Sequence, residues 1–69
     1  MKMTALSKSA TTIEFTSAEL VLVNNALDEV CHGVQFDDGE FTTRLGASRG
    51  EAQSLMLEIG GLIERARAL

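Results

Sequence analysis

Apolar residues recur along this chain with two different spacings. In "TTIEF" (residues 11–15) they alternate, with Ile13 and Phe15 on one side and Glu14 on the other, the two-residue period of a short strand. From Leu20 onward the spacing lengthens to three and four. Leu20, Val23, Leu27, Val30 and Cys31 make one helical stripe, and Leu22 and Ala26 widen it to roughly half the circumference. Val21 falls outside that stripe, beside Asn25, Asp28 and His32, as a single exposed valine. The helical spacing returns late in the chain, where Ala52, Leu55, Met56, Ile59, Leu62, Ile63 and Ala66 share a face.

The segment ends are marked by capping residues. In "FTSAEL", Thr16 is placed as N-cap with Glu19 three residues on, a capping box, while Phe15 and Leu20 flank it as a hydrophobic staple. The spacing predicts a helix from Ser17 to His32, closed by Gly33 in the left-handed C′ position. Ser48 and Glu51 repeat the capping box ahead of the last helix, and Arg65 and Arg67 suit the negative end of its dipole. Gly60-Gly61 interrupts that helix at about 1 kcal/mol per glycine relative to alanine. Such a pair kinks a helix, ends it, or lets another backbone come close. Opposite the apolar face, Ser54, Leu57, Gly61 and Ala68 form a narrow small-residue strip.

Between the helices, "VQFDDGEF" (34–41) carries a hairpin signal, since Asp38-Gly39 suits a two-residue type I′ turn. That register sets Phe36 opposite Phe41 and Val34 opposite Thr43. A plain connecting loop is the alternative. Residues 1–9 are small and polar with two lysines and read as a flexible tail, leaving 10–69 as one domain. The expected architecture is therefore α+β: a short N-terminal strand, a helix, a β-hairpin and a longer amphipathic helix, packed as one small layer pair.

Composition narrows the functional classes. A chain of 69 residues buries only roughly 60% of its unfolded surface, so it needs disulfides, a metal, exceptional packing or self-association. Cys31 and His32 are the only cysteine and histidine, which excludes an intrachain disulfide and a thiolate zinc cage. The net charge of −4 argues against a general affinity for nucleic acid or anionic membrane. No apolar run approaches the roughly 20 residues needed to span a bilayer, and "MKMTALSKSATT" lacks the apolar core of a signal peptide. A lone thiol and no export signal point to the cytoplasm.

The stretch "RLGASRGEAQSL" (44–55) poses a specific question, because a glycine turn before a capped helix also opens the recognition helix of a helix-turn-helix. Arg49 and Gln53 would then face base edges. Against this, "GEFTTRL" is a mediocre first helix and Glu51 places a carboxylate where phosphate would lie. Half of the ten acidic residues fall between Asp28 and Glu40; Asp37-Asp38-Gly39 is too compact for a calcium loop and reads as a solvated turn or an acidic docking patch. Thr43 and Arg44 stand near the helix mouth as candidate anion contacts. His32 has no nucleophile at a recognisable spacing and suits a helix C-terminus.

"FTSAELVLVNNALDEVCHG" followed by "EFTTRLGASRGEA" resembles small bacterial proteins of no assigned function, over about 40 residues of the chain. The resemblance implies a bacterial cytoplasmic origin and transfers no functional residue. The expectation is a non-catalytic protein-interaction module without cofactor or metal. Its partners would be itself, as a homodimer, and another protein, with Thr43, Arg44, Arg49, Asp37, Asp38 and Glu40 as docking contacts. The dimer seam would draw on Leu22 and Ala26, or on Leu57 and Gly61. The alternative is a small dimeric DNA-binding regulator using residues 44–55.

Overall fold

The computed structural model describes residues 1–69 and contains two strands, three α-helices and one π-helical turn. Strands β1 (Lys2–Leu6) and β2 (Thr11–Glu14) form an antiparallel hairpin. Helix α1 (Ser17–Asp28) runs straight into a π turn (Glu29–Gly33). Helices α2 (Asp38–Leu45) and α3 (Arg49–Arg67) follow. The class is α+β, but its hairpin lies at the N-terminus.

Residues 1–9 are thus not a tail. Ser7 closes the turn by donating its N–H to the Ala10 carbonyl at 2.8 Å, and its Oγ accepts from the Ala10 N–H at 3.0 Å. Residues 11–14, expected as a lone strand, have Lys2–Leu6 as their partner. Met3 faces Ile13 and Leu6 faces Thr11, with an irregularity at Thr4 that admits one extra residue on β1. Two apolar residues three apart in β1 therefore share a face. Strict alternation would have put them on opposite sides.

The second correction concerns 34–43, which is neither hairpin nor loop over most of its length. Asp37 takes the N-cap role, its carboxylate accepting from the Glu40 N–H at 2.7 Å. Asp38 and Gly39 then form the first helical turn with ordinary negative φ, so no type I′ turn exists. Phe41 is fully buried from this helix, and Glu40 pairs with Arg44 one turn later at 3.1 Å. Gly33 is not the left-handed stop either; the only positive φ in the chain is Gly46, at 76°, closing α2. Helix α1 instead widens into the π turn, which buries Cys31.

Both capping boxes form as the sequence predicts. The Thr16 and Ser48 hydroxyls accept from the Glu19 and Glu51 N–H groups, each at 3.1 Å. Helix α3 passes through Gly60-Gly61 unbroken and packs antiparallel to α1, with Gly60 facing Asn24. None of the options open to the glycine pair is realised: a Cβ at Gly60 would meet only the Asn24 side chain, at 3.8 Å, and one at Gly61 would meet nothing within 4 Å. Val21, placed outside the stripe by its position, is half-buried beside Ile63 and Ala66.

The helices do not pack on the sheet. Strands β1 and β2 contact one another and no helix, every residue of both being exposed. One polar tether joins the hairpin to α1: the Met1 ammonium donates to both Glu19 carboxylate oxygens at 2.8 Å. That contact, followed by the Thr16 N–H at 2.9 Å, lowers the Glu19 pKa from 4.5 to about 2.

Two measurements check this account. Gly46→Ala forces an L side chain into the left-handed region and costs about 1–2 kcal/mol. In contrast, Gly60→Ala places its Cβ in ordinary contact with Asn24, 3.8 Å away. It is expected to stabilise the chain by about 0.4–1 kcal/mol, so urea unfolding separates the two glycines by sign. The lowered Glu19 pKa gives a stabilising contribution fully present above pH 4.5 and lost as pH falls toward 2. Carboxyl chemical shifts followed by NMR should place the Glu19 midpoint near the lower value, and acetylating the amine should raise it; a midpoint of 4.5 in the unmodified chain would remove the tether.

Candidate functional site

Three residues are buried, Cys31 from the π turn, Phe41 from α2 and Ala52 from α3, of which Phe41 alone is fully enclosed, with Val30 and Phe36 packed around them. Arg49, in the first turn of α3, lies across this cluster. Its guanidinium stacks over the Phe41 ring, 4.6 Å from the centroid. One terminal nitrogen donates to the Cys31 carbonyl at 3.0 Å and the other to the Phe36 carbonyl. Its Nε lies 3.6 Å from the Asp38 carboxylate. Only a quarter of the side chain is exposed.

This geometry reassigns the candidate docking and anion contacts. Arg49 is held inward by carbonyls that the π turn and the following loop leave free, so it does not project to a phosphate or a base. Arg44 lies against the Phe36 ring, 5.0 Å from its centroid, and pairs with Glu40. Thr43 turns its hydroxyl back to the Gly39 carbonyl at 2.9 Å. Asp37 is a helix cap, which leaves Asp38 as the most solvated member of the acidic cluster. His32 bonds the exposed Asp28 carboxylate at 2.9 Å, an i,i+4 pair with no nucleophile in reach. No group of three potential metal ligands converges in the structure.

The single chain leaves open concave surfaces along the α1–α3 pair. On one side of the α1–α3 pair, Leu27, Leu45, Ala47, Ala52 and Leu55 line an open groove of about 290 Å³ with Glu51 at its rim. The opposite side is polar: Asn24, Asn25, Asp28 and Glu64 surround Leu57, Gly60 and Gly61. The Asn24 Oδ1 is buried there without a hydrogen-bond partner. Both candidate seams are uncovered, with Leu22 exposed to 69% and Leu57 to 72%, and Ala26 and Gly61 exposed beside them. Leu57 stands among polar neighbours, whereas the groove gathers five apolar residues from α1, α2, α3 and the turn between the last two.

The groove was not legible in advance, because Leu45 and Ala47 meet Leu27 only once 38–45 is a helix. Comparison with known proteins adds no relative: no family model, no curated protein and no solved structure matches the chain.

The clamp makes Arg49 a stability residue first. Arg49→Ala is expected to cost about 2–3 kcal/mol, from two charge-assisted hydrogen bonds and the ring contact. Arg49→Lys should recover less than half of that, since an ammonium reproduces neither the fork nor the stacking. Urea unfolding checks both, and a change within about 0.5 kcal/mol for the alanine variant would refute the clamp.

Proposed function

We propose that this chain is a non-catalytic interaction module of the cytoplasm that works as a homodimer and presents an acidic surface to another protein. The observation that carries the reading is the amount of surface left uncovered. The chain exposes 5357 Å², against about 4,200 Å² for a compact monomer of 7.4 kDa. Its radius of gyration is 13.6 Å, against about 11 Å for a compact chain of this length. Stable domains bury their apolar faces against a second layer, and the hairpin of this chain has none.

Further support comes from charge and from what is spent internally. With net charge −4 and three of the six basic side chains (Arg44, Arg49 and Arg67) paired with carboxylates, the outer surface favours a partner with basic groups over one with phosphates. No helix is long and apolar enough to cross a membrane. The lone thiol is buried, as suits a reducing compartment.

The DNA-binding reading keeps one specific support: 38–45 is a helix, Gly46 makes the left-handed turn, and Ser48 caps the helix that follows. Against it stand the engagement of Arg49 and the Glu51 carboxylate at the helix front, so it ranks second. Solution mass over a wide concentration range, at two salt concentrations, tests the leading reading. A dimer is expected at micromolar concentration, and a monomer throughout would overturn it. A salt-sensitive shift with duplex DNA would instead favour the regulator.

A further inference from the structure

The hairpin and the groove are both apolar, both uncovered, and rooted at opposite ends of the α1–α3 pair. The irregularity at Thr4 brings Met3 and Leu6 onto the face of Ile13, and Phe15 continues that face two residues on. These four side chains are exposed to between 37% and 70%. The other face carries Lys2, Glu14, Ala5 and Thr12 and suits water. A two-stranded hairpin is marginal in water unless a further strand or a helix covers its apolar side. Here no helix of its own chain does so.

The groove of Leu27, Leu45, Ala47, Ala52 and Leu55 lies by the end of α1, whereas the hairpin joins α1 at its start. Eleven residues of helix, about 16 Å, separate Thr16 from Leu27. A two-fold axis that sets two copies antiparallel removes that separation, because it brings the start of α1 in one copy beside the end of α1 in the other. Charge favours the same pairing. Residues 1–15 carry Lys2 and Lys8 against Glu14, a net +1, while the rest of the chain carries four arginines against nine carboxylates, a net −5.

We infer that a second copy of this chain covers the hairpin: the Met3, Leu6, Ile13 and Phe15 face of each copy seats in the Leu27–Leu45–Leu55 groove of the other. This rests on the homodimer reading above and assigns its surface. The arrangement is isologous, so one symmetry operation covers both hairpins and both grooves. It sets sheet on helix, a packing that the single chain lacks. The surplus of about 1,100 Å² per chain exceeds the roughly 800 Å² that each partner of a standard interface buries.

Two substitutions test it, and both sites are exposed in the single chain, which leaves its own core unaltered. Leu6→Glu on the hairpin and Leu55→Glu in the groove should each raise the dimer dissociation constant more than about tenfold with helical circular dichroism retained, while Leu57→Glu on the polar side leaves the mass unchanged. Cysteine trapping then reads the pairing directly, Cys31 being buried. Leu6→Cys mixed with Leu55→Cys should form a disulfide-linked dimer under mild oxidation more readily than either variant alone. A wild-type chain that is monomeric overturns the homodimer and this surface together. A wild-type dimer that survives Leu6→Glu, or links faster through Leu6→Cys alone than through the mixture, overturns only the hairpin-in-groove assignment.

Discussion

The packing of the helices depends on where one guanidinium goes. Arg49 reaches from the first turn of α3 to carbonyls in two other segments while its flat face rests on the Phe41 ring. A lysine could not do this, because an ammonium has no plane to stack and no fixed fork to bridge two carbonyls. The partners are supplied by irregularity. A π turn and the extended stretch after it contain carbonyls without the usual helical acceptors' role, and buried backbone oxygens need donors. Arg49 thereby joins the end of α1, the 34–37 connection and α2 to α3. Few side chains are fully buried, so a polar clamp carries work that aliphatic packing does in larger domains.

That clamp also explains which parts of the fold could be read in sequence. The helix starts at Thr16 and Ser48 are local: hydroxyl, carboxylate and N–H lie within four residues, and nothing distant competes with them. Residues 34–43 differ, because Asp-Asp-Gly serves as well for a helix cap as for a hairpin turn. The choice falls to Phe41, which as a helical residue reaches the cavity beneath Arg49 and becomes fully buried. The N-terminal strand was hidden for another reason. Period-two reading fails where an extra residue shifts the parity, and Met3 and Leu6 look like an irregular tail until Ile13 and Thr11 are set opposite them. The glycine stop was misplaced by the same non-local effect, since the π turn ends α1 without a left-handed residue.

The candidate site was legible only in its chemistry, not in its placement. An acidic cluster before a helix looks like a docking patch, yet Asp37 is occupied by capping and Glu40 by Arg44. Conversely, Leu45 and Leu55 lie in different helices, and only the turn at Gly46 folds them onto Leu27. Polar residues in a small protein are drawn into holding its local structure, because there is little core to do so. The apolar residues left over at the surface become the more informative ones.

Those leftovers bear on how the chain folds as well as on what it meets. If the proposed pairing holds, the uncovered hairpin gains its burial only when the second copy arrives, so folding and association share one free energy. The apparent stability of such a chain rises with its own concentration, and hairpin order should follow assembly while α1 and α3 keep their mutual contact. In that pairing the opposite net charges on the hairpin segment and the helical body would steer the encounter of two copies and penalise the stacking of helical body on helical body. In the proposed pairing this favours a closed pair over an open stack, since each hairpin would have one complementary groove and each groove would be filled once.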